Sequence, residues 1–251
     1  MTQTDPGFRE TIMRNPKQFK RPPKRYAPKG LSILYEDRDI LVVDKAAGLL
    51  TVSSEKAREN TAYFLLNDYV RKGNHKSRHR VFIVHRLDKE TSGVIVFAKH
   101  ETAKRYLQDE WSAFQKKYMA IVQGTPPKKE GVITSYLAEN SVHRMYSVND
   151  PEKGKLAKTR YTVRKESALY SLLEIELLTG RKNQIRVHLA DAGCPVAGDK
   201  KYGVKGDGVK RLALHSASLT LIHPHSKETM TFTANVPVYF KTLMKGCHPR
   251  R

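Results

Sequence analysis

Cysteine is nearly absent. The 251 residues contain only Cys194 and Cys247, far apart and without metal-ligand spacing. Neither a disulfide framework nor a zinc site is expected, which suits a reducing compartment such as the cytoplasm. No apolar run approaches the roughly 20 residues of a membrane-spanning helix, and the N-terminus lacks the apolar core of a signal peptide. Acidic residues are few: 25 Asp and Glu against 46 Lys and Arg, a formal net charge of +21. Such an excess constrains partners rather than fold and points to a polyanion, most commonly nucleic acid. Nucleotide-cofactor loops are also missing, since glycine-rich Gly203–Lys210 fits neither a Walker loop nor a dinucleotide fingerprint. His223 and His225, separated by Pro224, read as a surface turn rather than a metal pair.

With 39% hydrophobic residues, the chain can build a sizeable core. Residues 1–30 carry eight basic and two acidic residues and five prolines, a pattern expected to form a flexible arm. Order is expected from Leu31, with no boundary inside residues 31–251. Ser32–Tyr35 and Ile40–Val43 read as a β-hairpin, residues 60–72 as a helix, and Val81–Val84 and Val94–Ala98 as strands. Thr102–Phe114 reads as a helix and Lys117–Val122 as a strand, with residues 128–160 as a polar, irregular hairpin region. Tyr161–Val163 and Tyr170–Leu178 read as strands and Gln184–Asp191 as a helix, before a strand-rich C-terminal part. The fold class is therefore α+β: a large mixed, mainly antiparallel β-sheet flanked by helices.

Two segments carry chemistry. Between the strands of residues 81–98 lies His85-Arg86-Leu87-Asp88-Lys89-Glu90-Thr91-Ser92-Gly93. This loop is longer and more charged than a tight hairpin needs. A carboxylate such as Asp88, kept ionised by an arginine, is a usable nucleophile towards an electrophilic carbon. In the second segment, Leu178 to Leu189, a strand and a glycine turn lead into a helix. Arg181 and Lys182 fall near the helix N-terminus, which favours phosphate. Arg186 falls at the margin of the core, where pairing with a carboxylate would satisfy it. The basic run 71–80 is a further candidate for phosphate contact.

The nine residues His85–Gly93, followed by Ala98-Lys99, resemble the catalytic motif of the RluA family of RNA pseudouridine synthases. Thr179–Leu189 resembles that family's arginine motif, Lys117–Gly124 its tyrosine motif and Asp44–Leu49 its lysine–glycine motif. Gly198–Gly203 and His215-Ser216-Ala217 match in order. The resemblance covers about residues 31–240. It implies that Asp88 attacks the target uridine, that Arg86 enters the space left by the flipped nucleotide, and that Tyr118 stacks on the uracil and helps remove the C5 proton. Arg186 would pair with Asp88. Arg181 and Lys182 remain candidates for phosphate contact on helix-end physics. Ala46 and Asn183 depart from the family pattern, which usually has proline and commonly histidine there; neither change is expected to touch the chemistry. The separate S4-like RNA-binding domain of some relatives is not expected here.

The expectation is thus a catalytic domain over residues 31–251 that isomerises uridines in ribosomal or transfer RNA. It would be cytoplasmic and monomeric, with RNA as partner and no membrane. The reaction is redox-neutral, so no redox cofactor or metal is chemically required. The alternative is a noncatalytic RNA-binding or ribosome-assembly protein, which the charge would serve equally well. A metal-dependent nuclease would need clustered acids, whereas Asp44, Asp88 and Asp199 are scattered in sequence.

Overall fold

The structure is a computed structural model and describes residues 28–53, 58–74 and 76–245. Most of the arm expected at residues 1–30 lies outside the described residues. The chain runs β1 (Leu31–Glu36), β2 (Ile40–Lys45), α1 (Ala62–Arg71), β3 (Phe82–Ile83), β4 (Ser92–Ala98), α2 (Glu101–Asp109) and β5 (Gln115–Gln123). It continues with β6 (Glu130–Glu139), β7 (Met145–Val148), β8 (Lys155–Glu166), β9 (Tyr170–Leu177), α3 (Gln184–Asp191), β10 (Leu214–Ile222), β11 (Thr229–Thr233) and α4 (Val238–Met244). Among the described residues all eleven strands join one sheet, ordered β1-β2-β4-β10-β5-β9-β8-β6-β7, with β3 beside β4 and β11 beside β10. Every strand pair is antiparallel except β4 with β10. The expected α+β class and mixed sheet are what the fold shows.

The centre of the sheet is covered on both faces, and β2 and β4 therefore read as unbroken apolar runs rather than alternating ones. Ile40, Val42, Val94 and Val96 pack towards α2 through Ala103 and Leu107. Leu41, Val43, Ile95 and Phe97 share the opposite core with α1, α3 and α4 residues. α1 starts where the Thr61 side chain accepts from the Phe64 N–H, and it ends at Lys72, which is left-handed at φ 51°.

Three expectations need correction. Residues 128–160 are not irregular: β6, β7 and the start of β8 form a regular antiparallel meander. Its outer face is solvated, and its inner positions include small or polar residues such as Ala157 and Thr159, so hydrophobic alternation is faint. The second correction concerns the C-terminal part, which includes a helix, α4, anchored by Phe240, Leu243 and Met244. Finally, His223 does sit in a turn but is buried, with Nε2 2.8 Å from Asp37 Oδ2.

One register row positions the site. Gly93 at the head of β4 pairs with Ser216 of β10, which pairs with Tyr118 of β5, which pairs with Ile175 of β9. The parallel contact of β4 with β10 demands glycine. Gly93 has φ +112°, and a Cβ there would lie 2.1 Å from the Ser216 carbonyl oxygen. Gly48 also has positive φ, +86°, but open space around its Cβ position. Gly93→Ala should therefore cost on the order of 3 kcal/mol or more, and Gly48→Ala only about 1 kcal/mol. Urea unfolding midpoints of the two variants check this ranking.

Candidate active site

The loop between β3 and β4 is held from both sides of Asp88. Thr51 Oγ1 donates to the Leu87 carbonyl at 2.9 Å and accepts from the Leu87 N–H at 3.2 Å. Lys45 is fully buried, and its Nζ donates to the carbonyls of Ala46, Leu49 and Lys89 at 3.0, 2.8 and 3.2 Å. Burial pulls this ammonium down to about 8. The Gly48 N–H also donates to the Lys89 carbonyl, at 2.9 Å. The lysine–glycine segment thus acts as a clamp on the loop.

α3 supplies the opposite wall. Gln184 is buried, and its Oε1 accepts from Thr179 Oγ1 and the Arg181 N–H at 2.8 and 2.9 Å. Its Nε2 donates to the Lys158 carbonyl at 3.0 Å and to Thr159 Oγ1 at 2.9 Å. This tie shapes the turn before α3 and aims Arg186 at the loop. His188 bridges Thr159 and Ser135 through its two ring nitrogens, at 2.8 and 3.0 Å, fastening α3 to β8 and β6.

The electrostatic centre is a three-membered ionic chain. Arg186 Nη1 donates to Asp88 Oδ2 at 2.9 Å, while Nε and Nη2 donate to Asp199 Oδ2 and Oδ1 at 2.7 and 2.8 Å. The guanidinium is only 12% exposed, and the Asp199 side chain is fully buried. Burial works against both charges. Hydrogen bonds and charge from Asp199 and Asp88 nonetheless raise the Arg186 pKa. For Asp199, burial is outweighed by Arg186 and by the N–H groups of Tyr202 and Lys201, which hold it below the usual carboxylate range. The sequence reading of Asp199 as one of several scattered acids missed this role; a buried arginine needing more than one carboxylate was the signal.

Beside Asp88 opens a pocket of about 120 Å³ lined by Arg86, Tyr118, Arg181, Asn183, Arg186 and Leu214, among others. Tyr118 is 8% exposed. Burial raises its hydroxyl to about 12, with the Asp88 charge adding and a hydrogen bond with Ser216 opposing. Arg86 is exposed at the pocket. Arg181 also lines it, its Nε donating to the Leu156 carbonyl at 3.0 Å. Lys182 is not among the lining residues; it pairs with Glu139 at 2.5 Å. Asp88, Tyr118, Arg186, Arg86 and Arg181 are thus brought together, and Lys182 stands apart. Asn183, expected to be indifferent to the chemistry, donates from Nδ2 to Asp88 Oδ2 at 2.6 Å. That corrects the sequence reading: the side chain touches the carboxylate itself.

Among the described residues, the one group of three candidate metal ligands is Asp37, Asp39 and His223, near the β1–β2 turn. Asp39 also pairs with His100 at 2.8 Å, and His223 with Asp37 at the same distance. The His100–Asp39 contact is a hydrogen bond, whereas His223 Nε2 meets Asp37 at ion-pair distance only.

The geometry places a carboxylate, three arginines and a buried tyrosine around a pocket on a large mixed sheet, an arrangement suited to holding a base. A model of the RNA pseudouridylate synthase family matches residues 39–191. An uncharacterized RNA pseudouridine synthase of Bacillus subtilis is 38% identical over 221 residues, spanning 86% of this chain and 72% of that protein. The ribosomal large subunit pseudouridine synthase D of Nitrosomonas europaea is 36% identical over 230 residues, covering 86% and 65%. Among solved structures, human RNA pseudouridylate synthase domain containing 1 superposes with a TM-score of 0.67 at 26% identity, covering 88% of this chain and 89% of that one. The chain belongs to the RNA pseudouridine synthase family, of the RluA type, and is an isomerase of that class.

Three histidines, His85, His188 and His215, predict the acid behaviour. Burial pulls His188 down to about 4; burial and the nearby Lys116 take His85, stacked on Trp111, to about 3. Burial lowers His215 as well. The unfolded chain takes up protons near 6.5 where the native state does not. The histidines' contribution to stability is therefore complete above about pH 6.5 and declines as pH falls towards 4. Urea midpoints measured from pH 7.5 to 4.5 should show the decline, and it should be shallower in His188→Gln.

Proposed function

We propose that the enzyme isomerises specific uridines in ribosomal RNA, with transfer RNA as a further candidate, and that Asp88 is the reacting carboxylate. The observation that carries this reading is the Asp88–Arg186–Asp199 chain ending at the pocket beside Tyr118. Asp88 Oδ2 is held by two donors while the loop backbone is clamped on either side, which meets the geometric demand of attack on a bound base or sugar. Relatives named as ribosomal large subunit synthases support ribosomal RNA as the substrate class.

The reaction needs no net oxidation. The N1–C1′ bond breaks, the uracil turns, the C5–C1′ bond forms, C5 gives up its proton and N1 ends protonated. The uridine must leave its stack, which costs on the order of a few kcal/mol, offset by stacking in the pocket and by filling the gap. Tyr118 supplies the stacking face. Its hydroxyl keeps its proton at neutral pH, so any C5 proton it takes must be matched by release of its own. Arg86, exposed at the pocket, suits the gap left in the RNA, and Arg181 suits a flanking phosphate. Lys182, paired with Glu139, reaches a phosphate only by exchanging that partner. Residues 31–251 act as the catalytic domain, with the basic residues 1–30 adding affinity for the RNA backbone. The enzyme is read as a cytoplasmic monomer; no helix among the described residues is long and apolar enough to cross a membrane.

Tritium release from RNA labelled at uridine C5, prepared from cells lacking this protein, tests the reading. The native enzyme should release tritium with EDTA present. Asp88→Asn should bind the same RNA within about threefold yet release none, and full turnover in that variant would sink the assignment. RNA affinity should fall by roughly 10³-fold or more between 50 and 200 mM salt if six or more phosphates are contacted. A flat salt response would contradict a backbone-dominated interface.

A further inference from the structure

We infer that Asn183 and Tyr202 form a positioning relay that fixes the rotation of the Asp88 carboxylate and leaves Oδ1 as its presented oxygen. The inference rests on the reading of Asp88 as the reacting group. Both donors to Asp88, Arg186 Nη1 and Asn183 Nδ2, meet the same atom, Oδ2, at 2.9 and 2.6 Å. Among the described residues no side chain donates to Oδ1. Rotation of the carboxylate about its Cβ–Cγ bond would break both contacts together.

The local backbone supports the assignment. Asn183 occupies the residue before α3 with φ 51° and ψ 18°, a left-handed conformation that asparagine tolerates. A polar side chain at that place ordinarily accepts from a helical N–H, but Asn183 makes no such bond. Its amide is committed to Asp88 instead. The hydrogen-bond chain has one polarity. A carboxylate only accepts, so Nδ2 faces Asp88, and Oδ1 of the amide accepts from the Tyr202 hydroxyl at 3.2 Å. That hydroxyl in turn accepts from the Met145 N–H at 3.1 Å, which directs its own hydrogen to Asn183.

Tyr202 is itself well fixed. The Arg144 and Arg186 guanidinium carbons lie 5.0 and 5.1 Å from its ring centroid, and Lys201 Nζ lies at 5.6 Å. Met145 opens β7, whose meander packs on α3 through Leu137, Met145, Ala157 and Val187. The seating of the meander is therefore carried to the carboxylate through two side chains. Unlike Arg186, the amide adds this hold without adding charge.

Steady-state kinetics of Asn183→Gly, Asn183→Asp, Asn183→His and Tyr202→Phe, beside Asp88→Asn, test the relay. Glycine, aspartate and histidine all tolerate the left-handed backbone, so thermal midpoints should stay within a few degrees of native. Loss of a hydrogen bond to a charged group should lower kcat about 10- to 100-fold in Asn183→Gly, with KM within about twofold. Asn183→Asp should fall further, because it removes the donor and sets a second negative charge against Asp88. Asn183→His, which keeps an N–H donor, should recover most of the loss, and Tyr202→Phe should lose less than Asn183→Gly. Unchanged kcat in Asn183→Asp, or a loss confined to KM, would overturn the relay. Turnover by Asp88→Asn would instead overturn the reading beneath it.

Discussion

One buried guanidinium organises this protein. Arg186 is taken almost wholly out of water, and an unpaired charge there would be strongly unfavourable. Two carboxylates answer it from different parts of the chain. Asp199 takes the fork in bidentate fashion and is itself held by the N–H groups of Lys201 and Tyr202. Asp88 takes the remaining Nη1. The result is a charge row in which the deeper carboxylate neutralises much of the arginine. The shallower one, 29% exposed, remains available at the pocket. A lone Asp–Arg pair would combine neutralisation and reactivity in one group; here two residues divide them.

That row depends on the sheet. Strands β4, β10, β5 and β9 bring Gly93, Ser216, Tyr118 and Ile175 side by side, although these residues are distant in sequence. The close approach of β4 to β10 at Gly93 sets where the Asp88 loop enters the sheet. The clamps from Thr51 and Lys45 then limit how the loop can move. The polar groups that do this are buried and paired, so they hold a single conformation as well as contributing stability. Several residues inside the family-like motifs, Lys45 and His188 among them, serve this framework rather than lining the pocket.

The similarity to RNA pseudouridine synthases and the geometry lead to one class by separate routes. The comparisons rest on the run of residues across the domain. The site rests on which side chains the fold brings within hydrogen-bond distance. Both agree with the strongly basic composition, since RNA presents a phosphate backbone to its partner.

Local pattern in the sequence was enough for the central strands, for α1 and for α3 with its bounds at Gln184 and Asp191. Apolar periodicity and glycine stops act over a few residues and need no partner to be read. The ordered motifs singled out Asp88, Tyr118 and Arg186, which the fold brings to one pocket, and net charge pointed to a polyanionic partner. The regular strands of residues 130–160 were not legible, because one solvated face and small inner residues blur the alternation. Nor was Lys182 separable from Arg181, since the two are neighbours in sequence and only tertiary contacts, Glu139 for one and the Leu156 carbonyl for the other, distinguish them. The place of Asp199 behind Arg186, of Asn183 beside Asp88 and of Tyr202 behind Asn183 was decided by tertiary structure alone. A hydrogen bond spanning 95 residues has no local signature; it exists only once the sheet has closed the distance.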